Sequence, residues 1–264
     1  MMFLKSFRLA AAFLTRLPIP LSPPDESAGT EDRGLLDALP WFPLVGALIG
    51  LATGALALLA AQILPSPIAA LLALSAQVLL TGGLHEDGLA DVADGFGGGR
   101  DRERKLAIMR DSRLGSYGAI ALVLSLGLRA ACLTFWLDRM GGNWTGENSQ
   151  AGIWAFAAVA AWSRALLPLL MITLRPARSD GLGRSAGEPT AALAIGSILT
   201  GAVLTLFLLP WLPAVLMLAF GLLAIALLGL LARRQIGGYT GDVLGAAQQL
   251  TEIASWLALL ARLG

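Results

Sequence analysis

Residues 67–99 read PIAALLALSAQVLLTGGLHEDGLADVADGFGGG, an apolar run followed directly by a cluster of acids. The run, 67–83, is near the ~20 residues that a membrane-spanning helix needs. Similar runs recur along the chain, whose 264 residues are 56% hydrophobic and only 14% charged, with a mean hydropathy of +0.71. A soluble domain carries about 25% charged residues. The composition therefore predicts an all-α polytopic integral membrane protein, a helical bundle forming a single domain over 1–264.

The apolar runs predict about seven transmembrane helices, with six possible because some runs are short. Their expected limits are 40–64, 67–83, 116–137, 151–174, 190–209, 214–232 and 244–263. Before the first run, MMFLKSFRLAAAFLTRLPIP places Lys5, Arg8 and Arg16 on one face of a helical wheel. This pattern predicts a cationic interfacial helix that ends at the prolines.

The distribution of positive charge supports this helix count. With the N-terminus in the cytoplasm, the cytoplasmic segments hold fifteen of the 19 Lys and Arg residues, as the positive-inside rule requires. The same topology puts the acidic stretch, the RPARSDGLGRS loop and the QIGGYTGDVLGA loop on the cytoplasmic face. The net charge of +1 gives no indication of nucleic-acid binding.

Asp87, Asp91 and Asp94 are spaced i, i+4, i+7, which places the three carboxylates on one face of a helix. Like charges stacked in this way repel. A hard divalent cation, Mg²⁺ or Mn²⁺, would relieve the repulsion, and Asp91 is placed to bridge two such ions. The alternative is a solvated acidic face with no ligand.

Three neighbouring residues are less clearly assigned. Glu86 points away from the aspartate face and is not expected to be catalytic. His85 lies at the entrance to the acidic segment, where it either caps and hydrogen-bonds or transfers a proton. Asp242 begins the last predicted helix, either as its N-cap or as a fourth metal ligand.

Cationic groups that suit phosphate follow the acids. Arg110 and Arg113 flank Asp111 in MRDSRLG, and arginine binds phosphate oxygens bidentately. The basic residues before this motif are typical of a solvated or headgroup-facing surface: Arg100, Arg102, Arg104 and Lys105.

Charges inside the apolar runs also indicate polar surroundings, because a charged side chain is costly at mid-membrane. Arg164 is expected to face a polar cavity. Glu252 is expected to pair with Arg164 or with Arg129, and a purely structural ion pair is the alternative.

Several motifs together resemble the cobalamin synthase family, also called adenosylcobinamide-GDP ribazoletransferase, from about Phe13 to Glu252. They are FLTRLPIP, FPLVGALIG, GGLHEDGLADVADG, IMRDSRLGSYG and GGYTGDVLGAAQQLTE. The resemblance implies a Mg²⁺-dependent enzyme of the bacterial inner membrane. It would join adenosylcobinamide-GDP to α-ribazole, or to its 5′-phosphate, and release GMP. Other late cobalamin-pathway enzymes are potential partners.

The resemblance also suggests how the candidate residues divide the work. Metal binding falls to Asp87, Asp91, Asp94 and Asp242, and the diphosphate would contact the MRDSRLG residues Arg110, Asp111 and Arg113 together with Arg164. Asp91, Asp94 or His85 would accept the proton of the attacking hydroxyl.

Two other functions remain open from the sequence. The DGLAD…D order is loosely like that of CDP-alcohol phosphotransferases, although Asp91 stands where their arginine would be. A cation-coupled transporter would also contain buried charges and glycine-interrupted helices, but its site would lie near mid-membrane.

Overall fold

A computed structural model describes residues 2–20, 34–140, 147–178 and 189–261. Within these ranges the chain is helical, and its only β feature is an isolated bridge between Pro176 and Tyr239. The all-α prediction is confirmed. The helices are α1 (Met2–Leu14), α2 (Leu35–Ala38), a 3₁₀ turn (Leu39–Trp41), α3 (Phe42–Ala61), α4 (Ser66–Thr81), α5 (Leu84–Gly98), α6 (Arg102–Ile108), α7 (Ser116–Met140), α8 (Glu147–Ala165), α9 (Leu167–Thr173), α10 (Ala191–Leu208), α11 (Trp211–Ile236) and α12 (Gly241–Leu260).

Six helical segments of the described chain are long and apolar enough to cross a membrane. They are Leu35–Ala61, Ser116–Arg139, Gly152–Thr173, Ala191–Leu208, Trp211–Ile236 and Gly241–Leu260. A seventh crossing is counted only if α4 and α5 are taken as one bent span. The prediction of about seven helices, with six possible, is therefore confirmed.

Whether the count is six or seven depends on the helix predicted at 67–83. Helix α4 has 16 residues and ends at Thr81, so it is only about 24 Å long. Gly82 and Gly83 both have a φ of 69°, a left-handed conformation that glycine adopts without strain. The chain turns there by 90° into α5. Helix α5 is not one of the six spanning segments, and it packs against α7 and α12.

The centre of the bundle is a close crossing of α3 and α8. Gly46 and Gly50 are one turn apart on α3. A Cβ atom on Gly46 would lie 2.3 Å from the carbonyl oxygen of Ala160, and one on Gly50 would lie 2.2 Å from the carbonyl oxygen of Phe156. Small residues four apart let two membrane helices approach to backbone contact. This spacing fixes α8 against α3.

Helix α1 packs one face against the bundle, with Ala10 and Leu14 fully buried. The ring of Phe13 stacks on Phe42 at a centroid distance of 5.7 Å. The helix ends at Leu14, so Arg16 is not on the same helical face as Lys5 and Arg8, and that part of the sequence interpretation is wrong. The backbone N–H of Arg16 donates instead to the carbonyl of Leu80 at 2.7 Å, which joins the N-terminal segment to the end of α4.

Candidate functional site

The three motif-bearing segments meet at one end of the bundle. Tyr239 donates its backbone N–H to Arg175 at 2.9 Å, and Ala177 donates to Tyr239 at 2.8 Å. The guanidinium of Arg102 donates to the carbonyls of Ile236 at 2.8 Å and Ala177 at 2.7 Å. Arg102 therefore joins α6 to both loops, although its side chain is still 49% exposed, as a solvated surface predicts. The predicted gathering of the segments is confirmed.

A glycine contact brings the last helix against α5. A Cβ atom on Gly88 would lie 2.7 Å from the carbonyl oxygen of Asp242 and 3.1 Å from the Cα of Gly245. Only a residue without a side chain allows so close a crossing. The crossing places Asp242, which is distant in sequence, beside the aspartates of α5.

Asp87, Asp91 and Asp242 form a cluster of carboxylates at this crossing. The pKa of Asp91 is raised to about 7, first by partial burial and then by the negative charges of Asp242 and Asp87. The charge of Arg178 lowers the same pKa, without offsetting the other effects. The cluster is therefore crowded with negative charge, as the i, i+4 spacing of Asp87 and Asp91 predicted.

Arg178 is a site residue that the sequence interpretation did not single out. Its guanidinium lies 3.4 Å from the carboxylate of Asp242 and donates to the carbonyl of Leu106 at 3.1 Å. The available signal was its position in the RPARSDGLGRS loop, which the charge distribution had already placed on this face. Arg178 is thus the cation that the fold brings to the carboxylates.

Asp242 is not the N-cap of α12. Thr240 occupies that position, and its hydroxyl accepts the backbone N–H of Val243 at 3.3 Å. The same hydroxyl donates to the Asp242 carboxylate at 3.2 Å. The capping alternative is therefore wrong, and Asp242 is a first-turn residue whose carboxylate faces the cluster.

Asp94 has a different environment from the other aspartates of α5. Its side chain is buried, and its two oxygens accept the backbone N–H groups of Gly115 and Gly118 at 2.8 Å each. These N–H groups belong to the start of α7, where helical N–H groups lack partners within the helix. Asp94 therefore anchors the N-terminus of α7, a role that its spacing from Asp91 did not indicate.

The carboxylates fit a magnesium site only in part. Among the described residues, no group of three or more His, Cys, Asp or Glu side chains is close enough to hold a metal ion unaided. Magnesium, however, is usually bound by one or two carboxylates together with water and substrate phosphates. One or two carboxylates from among Asp87, Asp91 and Asp242 fit a site of that kind, which a phosphate would complete.

A cavity of about 190 Å³ opens beside the carboxylates, between α1, the 35–42 segment, α5, α9 and α12. Asp87, Asp242 and His85 line one side of it, and the rest is mostly apolar. His85 is 3% exposed. Burial, followed by the positive charges of Arg164 and Arg129, holds its pKa well below the usual 6.5, so its imidazole is neutral.

The predicted phosphate-binding residues of MRDSRLG lie in the loop between α6 and α7. Arg113 donates to both oxygens of Asp111, at 2.9 and 2.5 Å, and this contact lowers the pKa of Asp111 to about 2. The Arg113 side chain is 87% exposed, and Arg110 is also exposed. These residues lie outside the cavity lining, next to the glycines that bind Asp94.

The charges inside the bundle form a buried polar core. Arg129 pairs with Glu252 at 2.7 Å and with Glu86 at 3.0 Å. Gln249 donates to Glu86 at 2.9 Å, and Gln77 donates to Glu252 at 3.0 Å. The partner of Glu252 is thus Arg129, and Glu86 faces away from the aspartates as predicted.

Arg164 belongs to this core rather than to the carboxylate cluster. Its side chain is fully buried, donates to the carbonyl of Ala160 at 3.1 Å, and does not line the cavity. The structure separates it from the other residues predicted to bind the diphosphate. Its role towards the site is electrostatic instead, because, in addition to burial, its positive charge lowers the pKa of His85.

The chain is similar to known proteins over nearly its whole length. The model of the family described as Cobalamin-5-phosphate synthase matches residues 6–260. A Sinorhizobium medicae protein is 44% identical over 93% of this chain and 92% of its own length. An Azorhizobium caulinodans protein is 48% identical over 95% and 93%, and a Bradyrhizobium diazoefficiens protein is 43% identical over 96% and 92%. All three are named adenosylcobinamide-GDP ribazoletransferase. No solved structure matches. The extent and identity of these matches mean that the chain belongs to the cobalamin-5-phosphate synthase family.

Proposed function

We propose that the protein transfers the phosphocobinamide group of adenosylcobinamide-GDP to α-ribazole or to its 5′-phosphate, and releases GMP. The observation that carries the proposal is the cluster of Asp87, Asp91 and Asp242 beside an apolar cavity, in a chain of this family. Transfer from a nucleotide-activated alcohol to a nucleoside hydroxyl needs neutralisation of the diphosphate charge and alignment of the two substrates. Carboxylates that bind a divalent cation are suited to the first of these needs.

The reaction follows the usual course of a phosphoryl-group transfer. A ribose hydroxyl oxygen of the acceptor forms a bond to the phosphorus that carries cobinamide. The bond from that phosphorus to the bridging oxygen breaks, and GMP leaves with the bond's electron pair. The hydroxyl proton passes to Asp91, which is partly exposed. Partial burial and the negative charges of Asp242 and Asp87 raise the pKa of this carboxyl group, which favours its taking up a proton.

The residues around the cluster hold these groups in place. Magnesium bound by one or two carboxylates from among Asp87, Asp91 and Asp242 would neutralise the charge of the diphosphate. Arg178, next to Asp242, supplies a guanidinium for a phosphate oxygen, and Arg110 and Arg113 are the further candidates from the neighbouring loop. Asp94 holds the start of α7, so that this loop lies against α5.

We place the site at the cytoplasmic face of the inner membrane. The positive-inside distribution of Lys and Arg supports this orientation. The organisation of the polar segments at one end of the bundle, rather than at its centre, also favours an enzyme over a transporter.

The test measures GMP and the corrinoid product formed by the purified protein from adenosylcobinamide-GDP and α-ribazole. We expect turnover with Mg²⁺, weaker turnover with Mn²⁺, and none after chelation. Consumption of a CDP-alcohol without use of adenosylcobinamide-GDP would overturn the proposal. So would cation flux in liposomes without product formation.

Matched variants connect the activity to the cluster. Asp87→Asn should lower kcat by about 10²–10³-fold, the size of effect seen when one electrostatic group is removed from a transition state. Glu103→Gln, which changes a 79% exposed carboxylate on the same face, should keep wild-type turnover. Equal losses in both variants would remove the cluster from the mechanism.

A further inference from the structure

The cavity beside the carboxylates differs in character from the rest of the proposed site. Its far wall is built from α1 and the 35–42 segment and includes Phe13, Leu36, Leu39 and Phe42. These side chains are apolar, and the rings of Phe13 and Phe42 stack with an interplanar angle of only 15°. Such a wall suits a flat apolar group rather than a phosphate or a sugar.

The two sides of the cavity also have opposite chemistry. Asp87 and Asp242 belong to α5 and α12, whereas Met171 and the two phenylalanines belong to other helices of the lining. A ligand that spans the cavity must therefore be polar at one end and apolar at the other. If the polar end of such a ligand carries a hydroxyl group and lies at the carboxylates, that hydroxyl is at the place where the transfer is proposed to occur.

The cavity volume limits the apolar part of the ligand. An apolar cavity of about 150 Å³ binds benzene, and this one, at about 190 Å³, admits a somewhat larger ring system. A corrin macrocycle is far too large for it. Guanine has the right size but carries polar groups around its edge, which an apolar wall leaves without hydrogen-bond partners.

Among the substrate groups, only the base of α-ribazole meets these requirements. This base, 5,6-dimethylbenzimidazole, is a flat bicyclic aromatic ring whose outer edge carries two methyl groups. We propose that the cavity is the acceptor pocket: the base lies among Phe13, Leu36, Leu39, Phe42 and Met171, and the ribose points to Asp87 and Asp242. This inference rests on the proposed function and adds the recognition of the acceptor to it.

The first experiment varies the ligand and leaves the protein unchanged. Binding of α-ribazole to the wild-type protein, without the corrinoid substrate, is measured by equilibrium dialysis. The corresponding benzimidazole riboside, which lacks both methyl groups, should bind about 16-fold more weakly, because each buried methyl group contributes about 4-fold to the affinity. Adenosine, with a polar ring edge, should bind still more weakly. Equal affinities for the three nucleosides would overturn the proposal.

The second experiment changes the apolar side chains that line the cavity. Leu36→Phe narrows the cavity and should raise the KM for α-ribazole by about 10–100-fold, the effect of one misplaced group in an apolar pocket. The KM for adenosylcobinamide-GDP should change less than 2-fold. Phe42→Leu opens the wall and should improve the relative use of acceptors with a larger base. Leu199→Phe, which changes a 58% exposed side chain on α10, is the matched control and should alter neither KM.

The outcomes separate this inference from the proposed function. If the wild-type protein releases no GMP from adenosylcobinamide-GDP, the proposed function fails. If it turns over normally but Leu36→Phe and Phe42→Leu change both KM values equally, or neither, the acceptor pocket is wrong. Unchanged KM values, together with lipid recovered from the purified protein, would instead identify the cavity as a lipid site.

Discussion

Replacing Asp94 by asparagine separates a structural aspartate from the proposed metal-binding aspartates of the same helix. The two Asp94 oxygens accept N–H groups from Gly115 and Gly118, both at 2.8 Å, in a buried setting. Asparagine has one acceptor oxygen, and its NH₂ group would point at the second backbone N–H. Asp94→Asn therefore removes one hydrogen bond to a charged acceptor and leaves a donor facing a donor.

The expected cost follows from these contacts. A hydrogen bond to a charged group contributes about 1.5–3 kcal/mol, and a buried donor without a partner costs about 1–3 kcal/mol. Since the exposed loop before α7 can relax, we expect a net loss of about 1–3 kcal/mol. For a chain of this size that corresponds to a Tm lower by about 2–12 °C.

The assay is thermal unfolding of purified variants in one detergent, at one scan rate and without divalent cations. Asp91→Asn is the matched control, since it changes a half-buried carboxylate in the same helix. The pKa of Asp91 is raised to about 7, above its value in the unfolded chain, so ionisation between about pH 4 and 7 costs the folded state stability. Asp91→Asn should therefore leave the Tm at pH 8 unchanged or higher.

The two variants should therefore differ in which properties they lose, thermal stability or turnover. Asp94→Asn should lose both stability and turnover, whereas Asp91→Asn should lose turnover alone. An Asp94→Asn protein with the wild-type Tm and a weakened response to Mg²⁺ would refute the structural assignment and restore Asp94 to the metal site.

Three further predictions concern the framework of the site. Gly50→Ala should lower the Tm by about 3–10 °C, because its Cβ would lie 2.2 Å from a carbonyl oxygen of α8, while Gly127→Ala, with nothing within 4 Å, should leave the Tm unchanged or higher. Glu252→Gln should destabilise the fold by about 3–5 kcal/mol, since it removes one of the two carboxylates paired with the buried Arg129; denaturant titration that shows no change would contradict this. Arg102→Ala removes two hydrogen bonds to loop carbonyls and should raise hydrogen exchange in residues 175–178 more than in α3.

The sequence predicted the bundle because apolar runs and loop charges are local properties. It located α10 and α12 within about three residues at their starts, and it placed the three polar segments together. The roles of Asp94 and Arg164 could not be predicted in the same way, since each role depends on which groups from distant parts of the chain contact the side chain. The N–H groups of Gly115 and Gly118 are more than twenty residues from Asp94, and the burial of Arg164 depends on the packing of α8. The cavity likewise consists of side chains from five separate segments.

The orientation of α5 explains why an enzyme site and a buried ionic core occur together. Helix α5 contains several glycines, and intrinsic propensity alone holds such a helix weakly. Its rotation is fixed instead by contacts near both ends: Glu86 pairs with Arg129, and Asp94 binds the start of α7. Successive helical residues point about 100° apart, so with Glu86 directed into the core, Asp87 is directed to the cavity and Asp91 follows one turn later. The ionic core therefore sets the direction of the carboxylates, and its polar groups serve the geometry of the site as well as the stability of the bundle.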